Sequence, residues 1–283
     1  MNMSTTKVLG FLLAGVGFLA GCGDDGTGGT GAGGSDAGGN GAGGATGGGG
    51  ASEGGGGALA GGGGAGGAAP IEAIALVRGQ LFTTDMAEAK ATHDAIASGG
   101  ETAAKGAGNF AHDPYLGTLL LGTTENEFLS LDRWTSDANM DAFYSNPDFL
   151  AAFSTLFAAP PSLETFERAP FYQWGDLDAA DGTTPHYAIV VRGHLADEPS
   201  VIQTQHDAIA SGGEATAKGL GDVAHVVYLG RTDDREALLV DLWTSNDSIE
   251  AFYSNPDFQA AVGSLFDAPP TVGVYATSGF LSW

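Results

Sequence analysis

The chain has 283 residues, with 34 acidic and 10 basic side chains that give a formal net charge of −24 at neutral pH. Such acidity disfavours nucleic acid or an anionic membrane surface as a direct partner, because both are themselves negatively charged. The only cysteine is Cys22, which excludes a disulfide within the chain and a thiol-based catalytic or metal site beyond that residue.

Residues 1–22 have the pattern of a secretory signal. Lys7 gives a basic start, and residues 8–20 form an apolar run that is too short to cross a bilayer as a helix. The sequence Leu-Ala-Gly-Cys that ends at Cys22 then resembles the lipobox of bacterial lipoproteins. The resemblance implies lipidation at Cys22 and a protein anchored by lipid in the bacterial cell envelope, on the extracytoplasmic side of a membrane. A cleaved signal peptide with a chance cysteine is the alternative.

Residues 23–69 are of low complexity and hold more than half of the chain's 48 glycines. Their single large apolar residue, Leu59, cannot offset the entropy lost when a backbone is ordered. We therefore expect a disordered linker, with the membrane reached only through the lipid on Cys22.

The next segment, residues 70–175, is predicted to be the first folded domain. Its apolar patterns alternate between the periods of strands and helices in the order strand, helix, strand, strand, helix, strand. The predicted elements are 74–81, 86–107, 110–121, 127–134, 138–157 and 163–174.

Residues 176–185 are predicted to be a short connection, because residues 186–283 then repeat the first domain. The sequence His-Asp-Ala-Ile-Ala-Ser-Gly-Gly-Glu occurs at 93–101 and 206–214, and Ala-Phe-Tyr-Ser-Asn-Pro-Asp-Phe occurs at 142–149 and 251–258. Strands are expected at 187–192, 223–229, 237–243 and 271–283, with one helix beginning near Pro199 and another interrupted at Asn255. A repeat of this length is a whole small domain, so the chain holds two homologous domains.

The predicted fold class is α+β, with two ferredoxin-like domains of βαββαβ order. In each copy the third strand ends in Trp-Thr-Ser, at Trp134 and Trp243, and is followed by the helix that contains Ala-Phe-Tyr-Ser-Asn-Pro-Asp-Phe. This signature resembles the antibiotic-biosynthesis-monooxygenase family of dimeric α/β barrels. The resemblance implies that the two domains pair as a pseudo-dimer within one chain. Many members carry a histidine four residues before the proline, whereas Phe143 and Phe252 stand there in this chain.

Two pairs of histidines are candidate functional residues. His93 and His206 lie on the apolar stripe of the first helix of each copy, where a neutral imidazole can act as a general base or as an axial ligand to haem iron. Alternatively, each is a buried structural histidine. His112 and His225, near the start of the second strands, are candidate ligand-binding residues. No acidic or thiol partner is placed with the histidines by sequence, so we expect no metal site.

Aromatic residues complete the candidate sites. Tyr115 and Tyr228 follow the strand histidines by three residues, an odd spacing that places each tyrosine on the opposite face of the strand from its histidine. They are kept as candidate ligand-binding residues. Trp134 and Trp243 are candidate catalytic residues because each shares a strand face with a carboxylate, Asp132 or Asp241. A tryptophan beside a carboxylate suits stacking and deprotonation of an aromatic substrate, although both tryptophans can equally be core residues.

Three functions are compatible with these patterns, since a fold does not decide among them. The first is a cofactor-independent monooxygenase-like enzyme acting on a small aromatic substrate. The second is a non-catalytic protein that binds a small apolar ligand or haem. The third is a structural or interaction lipoprotein whose site has degenerated. No cofactor is expected for the first function, and haem is the one cofactor that the second would require.

Overall fold

The computed structural model describes residues 72–179 and 186–283. The predicted signal, lipidation residue and linker lie outside these residues. Within them, no helix is both long enough and apolar enough to cross a membrane.

The described residues contain eight strands and six α-helices. The strands are β1 Ala73–Gln80, β2 Asn109–Gly117, β3 Glu127–Trp134, β4 Ser162–Arg168, β5 Tyr187–His194, β6 Asp222–Gly230, β7 Glu236–Trp243 and β8 Thr271–Thr277. The helices are α1 Met86–Gly106, α2 Asp137–Tyr144, α3 Pro147–Ser154, α4 Pro199–Leu220, α5 Asn246–Tyr253 and α6 Pro256–Gly263.

The strands form one closed antiparallel barrel in the order β1-β3-β2-β8-β5-β7-β6-β4, with β4 pairing back onto β1. Each copy contributes four consecutive strands of this ring. The two copies meet edge to edge, through β2 with β8 and through β4 with β6. An α+β barrel built within one chain is therefore confirmed. Closure also leaves neither copy with an unpaired sheet edge.

The barrel interior and its outer face are packed separately, because successive residues of a strand point to opposite faces. Aliphatic and tyrosine side chains fill the interior, among them Tyr115, Tyr228 and Tyr275, each at most 2% exposed. The helices cover the outer face and form one apolar cluster with each copy's half of the barrel. The candidate histidines lie on this outer face, between helix and sheet.

The second predicted helix of the first copy, 138–157, is two helices rather than one. Asn146 caps the second of them, since its side chain accepts hydrogen bonds from the backbone N–H groups of Asp148 and Phe149. Asn255 does the same for α6, as the interruption in the second copy predicted. A proline follows each asparagine at the first helical position, which fixes the break.

The last strand of each copy is shorter than predicted. Strands were expected to continue to Trp174 and Trp283, but β4 ends at Arg168 and β8 at Thr277. Pro170 removes a backbone donor after β4, and Gly279 adopts a φ of +68° after β8, so neither strand can continue in register. The remaining residues of each copy, 169–174 and 278–283, form what we call the tails.

Each tail crosses to the other copy. Trp174 of the first copy exchanges two backbone hydrogen bonds with His225 of the second, at 2.9 and 3.2 Å. Trp283 of the second copy exchanges two with His112 of the first, at 2.8 and 3.3 Å. Both copies are therefore needed to complete the surroundings of either strand histidine.

The connection predicted at 176–185 begins as a structured turn. Residues Leu177–Ala179 form a short 3-10 helix, and the side chain of Leu177 is buried against the barrel. Arg133 pairs with Asp176 at 3.3 Å and also with Asp178. The rest of the connection lies outside the described residues.

Candidate active site

Two pockets lie between the helices and the outer face of the barrel, one in each copy. Pocket 1 is bounded by α1, α2 and α3 and has an empty volume of about 480 Å³, including the solvent at its mouth. Pocket 2 is bounded by α4, α5 and α6 and measures about 530 Å³ on the same basis. The two pockets share equivalent lining residues, which in pocket 1 include His93, His112, Asp132, Phe143, Tyr144 and Trp283.

The two histidines of pocket 1 are in direct contact. Nε2 of His93 lies 3.1 Å from Nε2 of His112, and the rings are almost parallel. Behind His112, Nδ1 lies 2.5 Å from Oδ1 of Asp132. Behind His93, Nδ1 lies 3.1 Å from Oδ1 of Asp94. The result is a linear chain of carboxylate, imidazole, imidazole and carboxylate.

Pocket 2 contains the same chain. Nε2 of His206 lies 3.1 Å from Nε2 of His225, whose Nδ1 is 2.5 Å from Oδ1 of Asp241. Nδ1 of His206 lies 3.2 Å from Oδ1 of Asp207. The structure therefore brings together the helix and strand histidines that sequence reasoning treated as separate candidates.

The number of protons in this chain of side chains follows from the number of its hydrogen bonds. Each carboxylate accepts only, so each outer contact uses an Nδ1–H, while the central contact needs one Nε2–H between the rings. Two rings with three N–H groups carry one positive charge, flanked here by two carboxylates. The pair is thus arranged to hold one shared proton, which is the composition of a proton relay.

The electrostatics of pocket 1 favour an uncharged helix histidine. Burial, and then the charge on His112, lower the pKa of His93 to about 4. Burial alone would raise the pKa of the Asp132 carboxyl, but the charge of His112 and hydrogen bonds from His112, Tyr144 and Ser130 lower it overall. A proton held by the pair is therefore disfavoured on the helix histidine. In pocket 2 the pKa of His206 is lowered by the same two causes, burial first and His225 second.

Sequence reasoning missed a tyrosine at each site. The hydroxyl of Tyr144 donates to Oδ2 of Asp132, and that of Tyr253 donates to Oδ2 of Asp241 at 2.5 Å. Both tyrosines are buried, and burial raises their pKa well above the ordinary value. Each therefore stays neutral and fixes the second oxygen of the carboxylate. Their repetition in both copies could have identified them, since both lie in the repeated Ala-Phe-Tyr-Ser sequence.

The candidate tryptophans are buried and pack mainly against other aromatic side chains. Trp134 and Trp243 are at most 1% exposed, and Trp134 lines pocket 1 behind Phe143, with ring centres 5.2 Å apart. Trp243 packs in the same way on Phe252. The indole N–H groups of both have no hydrogen-bond partner among the described residues. Phe143 and Phe252 thus form an apolar wall of each pocket.

Tyr115 and Tyr228 lie apart from both pockets. They occupy the barrel interior, on the opposite sheet face from His112 and His225, as their spacing indicated. The hydroxyl of Tyr228 donates to Oε1 of Glu72 at 2.8 Å. The described geometry therefore gives these tyrosines no contact with a ligand held by the histidines.

The tails supply site residues that the sequence did not indicate. In pocket 1 the rings of Phe280 and Trp283 lie 5.0 Å from His93 and 4.5 Å from His112. In pocket 2 the rings of Phe171 and Trp174 occupy the same positions, at 5.1 and 4.5 Å from His206 and His225. Each tail also donates a backbone N–H to the aspartate next to the helix histidine, from Leu281 to Asp94 and from Tyr172 to Asp207. Each site is thus assembled from both copies.

The described residues contain no group of three or more histidine, cysteine or acidic side chains arranged to hold a metal ion.

Comparison with known proteins identifies the fold. No protein-family model and no curated protein sequence matches the chain. Among solved structures, an anthrone oxidase-like protein covers 76% of this chain and 94% of its own length, with a TM-score of 0.52 and 14% identity. A candidate monooxygenase of Fusobacterium nucleatum covers 75% of this chain and 97% of its own, with a TM-score of 0.50 and 10% identity. The likeness concerns the fold, a closed eight-stranded antiparallel barrel covered by helices.

A chlorite dismutase from Candidatus Nitrospira defluvii is also similar, at 11% identity over 74% of this chain and 92% of its own. Its TM-score of 0.45 is too low to support an argument about this barrel. At these identities the likenesses concern the fold alone, and the function has to be argued from the pockets.

Proposed function

We propose that the protein is a cofactor-independent monooxygenase-like enzyme that acts on a small aromatic substrate with an acidic proton. One observation carries the proposal: each copy places a carboxylate–imidazole–imidazole–carboxylate chain at the wall of an aromatic pocket. Apolar and aromatic side chains with a few convergent polar groups line both pockets, as in a small-molecule site, which favours a ligand over a purely structural role.

The histidine pair would act as the base. All four ring nitrogens of a pair are engaged in the structure, so a substrate must enter between the two Nε2 atoms. A substrate oxygen or acidic carbon placed there gives up its proton to the neutral helix histidine. The Nε2–H of the pair would then stabilise the resulting anion as a hydrogen-bond donor on the strand histidine.

Dioxygen would be the oxidant. A deprotonated, electron-rich aromatic compound reduces dioxygen directly, and in a monooxygenation one oxygen atom enters the product while the other leaves as water. For anthrone, the ring CH₂ group and dioxygen give a ring carbonyl and one water molecule. The aromatic walls would exclude bulk water from the anion.

The proposal is tested by dioxygen uptake with anthrone as the probe substrate. We expect the protein to accelerate uptake, and the double variant His93→Gln/His206→Gln to lose roughly 100-fold or more of the rate, in the range for a general base. Glu88→Gln is the matched control, because Glu88 is on the same helix but exposed at the surface. Equal rates for the double variant and the wild type would refute the role of the pair.

Haem binding is the second candidate function, and like substrate entry it would require the histidine pair to separate. An axial ligand must direct a free nitrogen lone pair at the iron, whereas each Nε2 here faces the other histidine at 3.1 Å. Both rings would have to separate before either could ligate iron. An absorbance spectrum of the purified protein with added haemin decides the question: a sharp Soret band at one equivalent would favour haem over the enzyme.

We also propose the finer architecture that the sequence indicates. Each copy is a ferredoxin-like domain, and the two form a pseudo-dimer held by lipid at Cys22 in the cell envelope. The repeated strand order and the lipobox support this. Cell fractionation of a Cys22→Ser variant tests the anchor: we expect release into the soluble fraction, and retention in membranes washed with high salt would contradict it.

A further inference from the structure

The two pockets differ at one buried polar position at the start of the second strand of each copy. Asn109 begins β2 beside pocket 1, and Asp222 begins β6 beside pocket 2. Both side chains are buried, with 3% and 4% of their surfaces exposed, and both line their pockets. The difference matters because this residue faces the tail tryptophan that closes the pocket.

In pocket 1 the amide holds the tryptophan. The indole Nε1–H of Trp283 donates to Oδ1 of Asn109 at 2.6 Å. The amide nitrogen of Asn109 is held in turn by the carbonyls of Ala111 and Arg133, at 3.0 and 3.1 Å. An amide can accept and donate at once, so Asn109 connects the tail to the sheet with all of these groups satisfied.

In pocket 2 the indole N–H of the corresponding tryptophan, Trp174, makes no hydrogen bond within the described part of the chain. Oδ1 of Asp222 instead accepts from the backbone N–H of Ala224 at 3.1 Å. Nε1 of Trp174 is buried near Asp222 and opposes the rise in the pKa of that carboxyl, but the two groups lack the geometry of a hydrogen bond. Burial, and then the charge of Asp241, raise the pKa of Asp222 to about 9. At neutral pH the side chain is therefore a carboxylic acid, which is a poorer acceptor for an indole than an amide oxygen.

We infer that the two pockets are non-equivalent aromatic-binding sites and that pocket 1 binds more tightly. Asn109 fixes the Trp283 ring that completes pocket 1, whereas Asp222 makes no such hydrogen bond to the indole of Trp174. A wall that is already ordered costs less entropy when a ligand binds against it. The inference rests on the proposed function in taking a small apolar aromatic molecule as the occupant of both pockets. It makes Asn109 and Trp283 positioning residues for that molecule.

Fluorescence titration with N-phenyl-1-naphthylamine, a neutral aromatic probe that brightens in apolar surroundings, tests the inference on the full-length protein. We expect two classes of site in the wild type, differing roughly tenfold in affinity, as one buried hydrogen bond would give. The variant Asp222→Asn recreates the pocket 1 contact in pocket 2, and we expect two tight sites. Asn109→Asp should leave no tight site.

Two tryptophan variants separate the hydrogen bond from the ring. Trp283→Phe keeps an aromatic ring but removes the N–H, and we expect it to weaken the tight class roughly tenfold. Trp174→Phe is the matched comparison in pocket 2: it loses ring area but no indole hydrogen bond, so we expect a smaller loss of affinity than Trp283→Phe gives. Thermal melts confirm that each variant is folded.

The outcomes are decisive in either direction. Two equal sites in the wild type, equal effects of Trp283→Phe and Trp174→Phe, or absence of probe binding would overturn the inference. If the two classes respond as expected while the anthrone assay shows no dioxygen uptake, the proposed enzyme is wrong and the difference between the pockets stands.

Discussion

At the scale of single residues, the histidine pairs dominate the chemistry of the molecule. His93 and His206 are 3% exposed, yet every ring nitrogen has a partner, so these residues are both buried and fully hydrogen-bonded. A structural and a catalytic role would therefore use the same contacts. Removing either ring would leave buried polar groups unpaired, which costs about 1–3 kcal/mol for each group.

The lowered pKa of the helix histidines predicts acid sensitivity. Unfolding returns His93 from a pKa of about 4 to 6.5, so the unfolded chain binds more protons between these values. The free energy of unfolding should consequently fall as the pH drops from about 6.5 to about 4, by about 1–3 kcal/mol for His93. Urea denaturation at pH 7 and pH 4.5 measures the loss. The variant His93→Gln/His206→Gln should show a smaller loss, and an unchanged one would argue against neutral buried histidines.

Asp222 predicts the opposite dependence on pH. Its pKa is raised from 3.8 to about 9, so the native state holds a proton that the unfolded chain releases over this range. The contribution of Asp222 to the free energy of unfolding therefore falls as the pH rises through this range. Below pH 3.8 both states hold the proton, and Asp222 does not lower the free energy of unfolding. We expect Asp222→Asn to stabilise the protein by about 2 kcal/mol at pH 7 and by little at pH 4. The exposed Asp234→Asn is the control, and a shift of similar size there would discount the effect.

At the scale of elements, the asparagine caps give a prediction of their own. Asn146 and Asn255 each satisfy two N–H groups at the start of the helices that close the pockets. Asn146→Ala should lower the free energy of unfolding by about 1 kcal/mol, whereas Asn146→Asp should retain most of it because aspartate caps equally well. Chemical denaturation of both variants checks this. Equal stability of the alanine and aspartate variants would mean that the proline alone positions α3.

Elements whose boundaries depend on local chemistry could be predicted from the sequence. Strand β3 runs over residues 127–134 as expected, and the caps at Ser245 and Asn255 and the opening of α4 at Pro199 are where the residue types place them. The tails could not be predicted, because their partners lie in the other copy, 33 or more residues away in sequence. An apolar stretch such as Phe280 to Trp283 has the same pattern whether it pairs in a sheet or covers a pocket.

The site itself was predicted in part for the same reason. The four histidines and the two carboxylates of the strands are recognisable because both copies repeat them. Their contact depends on the packing of a helix on a sheet, which no sequence spacing specifies. Tyr144 and Tyr253 were missed because a tyrosine in an amphipathic helix has the pattern of a core residue.

At the scale of the whole molecule, closure of the barrel predicts how a single copy behaves. Residues 186–283 alone would expose β6 and β8, both of which pair with the first copy in the full chain. Two such fragments can pair β6 of one with β8 of the other and close a symmetric barrel. We therefore expect this fragment to be dimeric by multi-angle light scattering. A folded monomer would show that the open edges are tolerated.

The crossing of the tails also has a consequence for how variants of this protein are to be interpreted. A substitution at Trp283 lies in the second copy by position but alters the surroundings of His112 in the first, and Trp174 stands in the same relation to His225. Any comparison that aligns one copy at a time assigns these aromatic residues to the wrong pocket. The repeated unit of the sequence and the unit that forms a pocket therefore have different boundaries. The duplicated unit is one copy, whereas a complete pocket needs one copy together with the last six residues of its neighbour.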